Sequence, residues 1–248
     1  MKEQLQKDFD NTIKNLSLSQ KDIEIKKFSL DNFINKGFPN RKEEDWKFSD
    51  LNQIINKNIG ELSFYNDYTS TNKVDTSVFV DGLEHNKIVF INGRIEKIDF
   101  DYEKKGQIEI IDQSETINKF DNNNSLSDLN NAFTNKCFKI VIKTGYQLLK
   151  PLIIYHTTNS KIWSKNINLR LDFELQDDSC LRLIDLFNDT SEKNFLNIFY
   201  NFNLKEDAIL KNYKVDKLEN KNIKYSFNNI VQNKNTISET FILSSGSN

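Results

Sequence analysis

Three short segments in the second half of the chain share one shape. Residues 175–181 read LQDDSCL, residues 204–210 read LKEDAIL and residues 231–237 read VQNKNTI. Each runs from an aliphatic residue through polar or acidic ones and a small or polar corner, then back to aliphatics. Their starts are 29 and 27 residues apart. A repeat of this length built only of short strands fits a coil of stacked rungs, the parallel β-helix. In such a coil each rung buries its inner face on its neighbours. A β-sandwich with coincidental spacing is the alternative that the repeat alone leaves open.

The surrounding pattern narrows the choice to an all-β half. From residue 137 onward, CFKIVIK, PLIIYHT, INLRLDFEL, CLRLIDLF, FLNIFYNFNL, ILKNYKVDKL, IKYSFNNIV and ISETFIL follow one another, most with a period of two. Polar bends separate them, and none leads into a long helical pattern.

The first part reads differently. Leu5, Phe9, Ile13 and Leu16 share one helical face, and Ile23, Leu30, Phe33 and Ile34 suggest a second helix. Gly37 at a C-terminal cap and Pro39 just beyond it stop that helix. Ser49 is placed to cap a third, short helix carrying Leu51, Ile54 and Ile55. Residues 60–126 are less regular. There KIVFING reads as a strand with an Asn92-Gly93 turn into RIEKIDF, and DNNNSLSDLN reads as a loop leading into a short helical turn. The expectation is an α+β chain: a helical and mixed region over 1–126, then a β-helix over 127–248.

Composition removes several functions. The net charge is −2 with acids and bases interspersed, so no basic block invites nucleic acid. The N-terminus lacks the apolar stretch of a secretory signal, and no apolar run reaches membrane-spanning length. Two cysteines without a secretory signal fit a reducing, cytoplasmic compartment. Abundant Lys and Asn with scarce Arg and Ala read as coding bias rather than function.

Residues 37–51, GFPNRKEEDWKFSDL, concentrate one of two Pro, one of seven Gly and one of two Trp. Gly37, Pro39, Arg41, Lys42, Glu44, Trp46, Phe48 and Ser49 resemble, position by position, the N-terminal signature of the SufB/SufD family on its SufD side. Further along, VFINGRI resembles the family's strand and Asn-Gly turn. LNNAFTNKCFKIVIKTGYQLLKPLIIYHTT is similar to the stretch where its β-helix begins, and ETFILSSGSN to a rung ending in a Gly turn.

The resemblance implies a right-handed parallel β-helix, incomplete here, in a non-catalytic scaffold of the SUF iron–sulfur assembly system. Its implied partners are a SufB-like paralogue and a SufC-like ATPase. An iron–sulfur cluster would be carried transiently by the full complex, with no cofactor on this chain alone. The family's later rungs and ATPase-docking segment have no counterpart in these 248 residues.

Individual reactive residues carry little. Cys137 and Cys180 stand alone, without a second Cys at metal-ligand spacing, and read as small strand residues. His85 and His156 lack motif partners. No Gly-rich phosphate loop occurs, nor a GxSxG or HExxH motif. Asp177 and Asp178 could imitate the acidic ligands of a β-helix polysaccharide-cleaving enzyme, but their place in the repeat makes them solvated corners. The Trp46 motif is either a partner-binding patch or a structural clasp. In the clasp, Trp46 and Phe48 pack inward and Arg41 pairs with Glu44 at the rim.

Overall fold

The computed structural model describes residues 2–14, 16–65, 72–113, 124–159, 162–188, 193–218 and 222–246. It contains α1 (Lys2–Lys14), α2 (Gln20–Lys36) and α3 (Leu51–Asn58), a two-residue strand β1 (Ser63–Phe64), and the hairpin β2 (Asn86–Ile91) and β3 (Arg94–Asp99). β4 (Ile108–Asp112) and α4 (Ser125–Phe133) precede β5 (Cys137–Ile142), β6 (Leu152–Thr157), β7 (Lys165–Leu175) and β8 (Cys180–Asn188). The chain then runs through β9 (Phe195–Leu204), β10 (Ile209–Leu218), β11 (Ile223–Gln232) and β12 (Ile237–Gly246).

The strands form a parallel β-solenoid of about three turns behind the helical region. One sheet runs β11-β9-β7-β5-β4, and the facing sheet runs β12-β10-β8-β6-β2-β3. Successive strands alternate between the two sheets, so each rung contributes one strand to each. β4 pairs antiparallel with β5, and β3 antiparallel with β2, which closes the N-terminal end of the coil. The sandwich alternative is thereby excluded.

The repeated segments are one corner, stacked. Asp178, Asp207 and Asn235 all take left-handed backbone, with φ of 59°, 59° and 58°. Gly145, at 69°, heads the column. Asp and Asn tolerate this region better than other side-chain-bearing residues. Backbone bonds tie the corners together: Gly145 N–H donates to Asp177 O, Asp178 N–H to Glu206 O and Asp207 N–H to Lys234 O. The third copy lies one residue later than its sequence shape suggests. Gln232, rather than Val231, pairs with Leu204, and Val231 is exposed. A one-residue slip exchanges the two faces of a strand, and the polar Gln232 hides this exchange from a pattern based on aliphatics.

Between the sheets lies an apolar core that includes Ile140, Leu171, Leu183, Phe202 and Leu210. The helices cover the outer face of the first sheet. There Phe9, Leu30, Phe33, Leu129 and Phe133 pack with Phe195 of β9. α4 is buried along its whole length, and it is longer than the short helical turn expected to follow the DNNNSLSDLN loop, running from Ser125 to Phe133. The part of that segment at 121–123 lies outside the described residues. α4 also straddles the boundary expected at 126/127. Below it, Asn130 donates to the carbonyls of Leu169 and Asn197, and Asn197 donates to Leu126 O and to Asn168 Oδ1.

The three helices expected at the N-terminus are present. Ser19 caps α2, accepting from Asp22 N–H. The cap of α3 is Asp50 rather than Ser49; its Oδ1 accepts from Gln53 N–H at 2.9 Å. One residue decides this, because only a side chain at the N-cap reaches the open amide two or three residues on.

The Asn92-Gly93 turn joins β2 and β3 as expected, with φ of 52° and 79°. A Cβ on Gly93 would sit 2.8 Å from Ile167 Cγ2, whereas one on Gly106 would meet nothing. Both glycines have positive φ. Gly93→Ala is therefore expected to cost about 1–3 kcal/mol more than Gly106→Ala, which carries only the backbone penalty. Urea denaturation of the two variants checks this, and equal midpoints would contradict it.

Candidate functional site

The alternation that fills the core carries charge into its middle. On β8 the inward residues are Leu181, Leu183, Asp185 and Phe187; on β10 they are Leu210, Asn212, Lys214 and Asp216. Register stacks Ile154, Asp185, Lys214 and Ile242 in one column across β6, β8, β10 and β12. From β11, Lys224 and Ser226 enter the same space.

Asp185 is the hub, with no solvent exposure. Tyr200 donates its hydroxyl proton to Asp185 Oδ2 at 2.8 Å, and His156 Nε2 lies 2.8 Å from the Tyr200 oxygen. Because the phenolic proton is committed to the carboxylate, His156 carries its own proton on Nε2, which also stands 3.3 Å from Asp185 Oδ1. Lys214 and Lys224 place their ammonium groups 3.7 Å and 3.6 Å from Asp185 Oδ2. Lys224 pairs more closely with Asp216, at 2.6 Å, and Lys214 also donates to Ser226 Oγ. The Lys214 ammonium lies 4.1 Å from the centre of the Tyr200 ring, a cation–π contact. His156 is stacked on Phe90.

Burial alone would raise the Asp185 carboxyl, but Lys224, His156 and Lys214 outweigh it and hold it well below the usual carboxylate range. Burial pushes His156 down to about 4 and Lys214 down to about 8. Tyr200 is driven well above the ordinary phenol by burial and by Asp185. With His156 neutral, two carboxylates balance two ammonium groups. Such a set can fix the register of three rungs, since a slip of any strand would leave a charge buried and unpaired. Asn212 lies fully buried beside it, with neither its amide N nor its O hydrogen-bonded to the protein.

His156 gives the site a pH signature. Its pKa falls from 6.5 to about 4 on folding. The unfolded chain therefore binds a proton in that window that the folded chain does not, and stability is lost as pH falls from 6.5 towards 4. The slope for one such proton is at most about 1.4 kcal/mol per pH unit. His156→Phe keeps a ring against Phe90 and should flatten the thermal-melting profile between those pH values. An unchanged slope would count against a neutral His156.

The 37–51 segment forms a closed loop beside α3. Pro39 O accepts from Leu51 N–H at 3.0 Å, and Gly37, at φ 74°, donates to Phe33 O. Trp46, in a short 3-10 turn, is half-buried against Tyr225 of β11, with ring centres 6.1 Å apart. Phe48 does the opposite of what the clasp requires: it is 85% exposed. Arg41, Lys42 and Glu44 are exposed as well, and no ion pair joins Arg41 to Glu44 among the described residues. The second aromatic anchor is Phe38, between Phe33 and Phe195. The exposed stretch ends at Phe48, and the chain turns back in at Leu51, which is buried.

The other residues singled out from the sequence are dispersed. Cys137 is buried on β5, its thiol pushed up to about 12 by burial and by Asp172. Cys180 is half-buried on β8, also shifted upward by burial. His85 is satisfied on both nitrogens, by Leu83 O at 2.5 Å and the Tyr155 hydroxyl at 2.7 Å. Asp177 and Asp178 are exposed corner residues, and Asp177 Oδ1 accepts from Glu206 N–H. Among the described residues, no group of three His, Cys, Asp or Glu is placed to hold a metal ion. None of their helices is long and apolar enough to cross a membrane.

The sequence reading missed Asp185, Lys214, Lys224 and Tyr200. The signal was available: Asp185 falls on the same phase as Leu181, Leu183 and Phe187, so an alternating strand had already assigned it to the interior. Fold and site together define a parallel β-solenoid with helices packed on one sheet face and a charged interior. No family model matches the chain, and no curated protein matches it.

Proposed function

We propose that this chain is a non-catalytic scaffold of the SUF iron–sulfur assembly system, of the SufD kind. The observation that carries this reading is a conjunction. A parallel β-solenoid preceded by N-terminal helices occurs in the same chain as the 37–49 signature, and Trp46 of that signature rests on a solenoid strand. In this role the solenoid holds a SufB-like paralogue alongside it and positions the pair on a SufC-like ATPase. ATP-driven movement belongs to the ATPase, and iron and sulfur are handled on the partner. The chain's own contribution is rigidity, and the interlocked charges around Asp185 serve that purpose.

Co-expression with SufB-like and SufC-like proteins from the same organism tests the proposal. The expected result is a complex with the SufB-like chain that survives size-exclusion chromatography. Recovery of this chain alone, with the other two bound to each other, would overturn it.

A further inference from the structure

A separate feature lies in the helical region, away from the charged interior and sharing Phe38 with the 37–51 loop. Leu5 of α1, Phe38, Ile55 of α3, Leu62 and Phe64 of β1 line a pocket of about 310 Å³. A lysozyme cavity of about 150 Å³ already binds benzene, so this space suits a bicyclic ring.

Gly60 forms part of the wall as bare backbone: its φ is 87°, and a Cβ there would meet nothing within 4 Å. The exposed side chains of Asn52, Asn56 and Glu61 lie at the rim. Neither asparagine side chain has a hydrogen-bond partner among the described residues. An apolar floor with a few polar groups at its edge is the usual composition of a small-molecule site. The polar side chains lining the pocket are three neutral amides, Gln4, Asn52 and Asn56, and one carboxylate, Glu61, which favours a cationic head over an anionic one.

We infer that this pocket binds a small molecule with an indole-sized apolar body and an amine head. The inference does not depend on the scaffold reading. Tryptamine, indole and indole-3-acetate serve as probes, titrated into the full chain and followed by protein NMR. Tryptamine should bind saturably with a dissociation constant of roughly 1 mM or tighter. It should shift the signals of Leu5, Ile55, Leu62 and Phe64, and indole-3-acetate should bind several-fold more weakly. Glu61→Gln should remove that discrimination without removing binding. Ile55→Phe and Leu62→Trp, each confirmed as folded by circular dichroism, should abolish binding by filling the space.

The wild-type chain alone keeps the inference falsifiable if both filled variants misfold. Absence of saturable shifts at those four residues would overturn it, as would equal binding of the amine and the acid. If tryptamine instead dissociates a dimer in sedimentation experiments, the pocket holds a side chain of a second copy and the small-molecule assignment falls.

Discussion

Replacing Asp185 with alanine is expected to lower the free energy of unfolding by about 3–5 kcal/mol. The carboxylate stands between the ammonium groups of Lys214 and Lys224, at 3.7 Å and 3.6 Å, and accepts the Tyr200 proton. Removing it leaves the Tyr200 hydroxyl without its acceptor and Lys214 without its strongest counter-charge, with only Asp216 left to offset it. Lys224 keeps Asp216 at 2.6 Å, so Lys214 bears most of the loss.

The measured loss would still say nothing about the net value of the charges, because a buried pair is costly to break even when it is worth little to make. The double replacement Asp185→Leu with Lys214→Met separates the two quantities. It should recover most of the loss, since well-packed apolar residues often replace a buried ion pair at little cost. Urea unfolding of the three variants is the measurement. A cost below about 1 kcal/mol for Asp185→Ala would show that water reaches the cluster freely.

Lys26→Met is expected to destabilise the protein by about 2–4 kcal/mol. Lys26 lies on α2 with no solvent exposure, and its ammonium donates to three carbonyls, those of Asn131, Ala132 and Thr134, at 3.2, 3.3 and 2.7 Å. These are the open carbonyls at the end of α4, where a cation also meets the negative end of the helix dipole. Methionine fills the volume and leaves the carbonyls without that donor.

The loss depends on pH, and its sign can be worked out. Burial lowers the Lys26 pKa from 10.5 to about 7. Between those values the unfolded chain holds a proton that the folded chain has released. The contribution of Lys26 to stability therefore rises with pH across that window. The gap between wild type and Lys26→Met should widen from about pH 7 towards pH 10. A gap that stays constant or narrows would mean that Lys26 stays charged in the folded protein.

The sequence conveyed the two layers well and the contacts between them poorly. Leu5 and Phe9, or Leu30 and Phe33, announce their helices because the same spacing that makes a helix also makes its buried stripe. The rungs announce themselves through period two and through corners that need a left-handed residue. Lys26 does not: on the surface of α2 it would look the same, and only the arrival of α4 makes it a capping group. Phe48 shows the converse. Its place in an aromatic-rich motif suggested burial, whereas it stands in solvent and Phe38 takes the packed position. The third corner was misplaced by one residue because Gln232, a polar residue, takes the register position opposite Leu204 at the end of β11. Such errors share a cause: a local pattern reports which face a residue is on, but not what is waiting on the other side.

The Lys26 contact also sets an order of events. Lys26 and Asn131 are 105 residues apart in the chain, and β1 meets β7 across a similar interval. A ribosome adding about 5–20 residues per second needs roughly 5–20 s to cover that distance. Throughout this time α1 and α2 are complete, but of the elements they pack against only α3 has emerged, and α4 and β9 have not. Their apolar stripes of Leu5, Phe9, Leu30 and Phe33 face solvent until the solenoid strands emerge. The nascent chain thus offers a chaperone its most adhesive surface first and the means of covering it last.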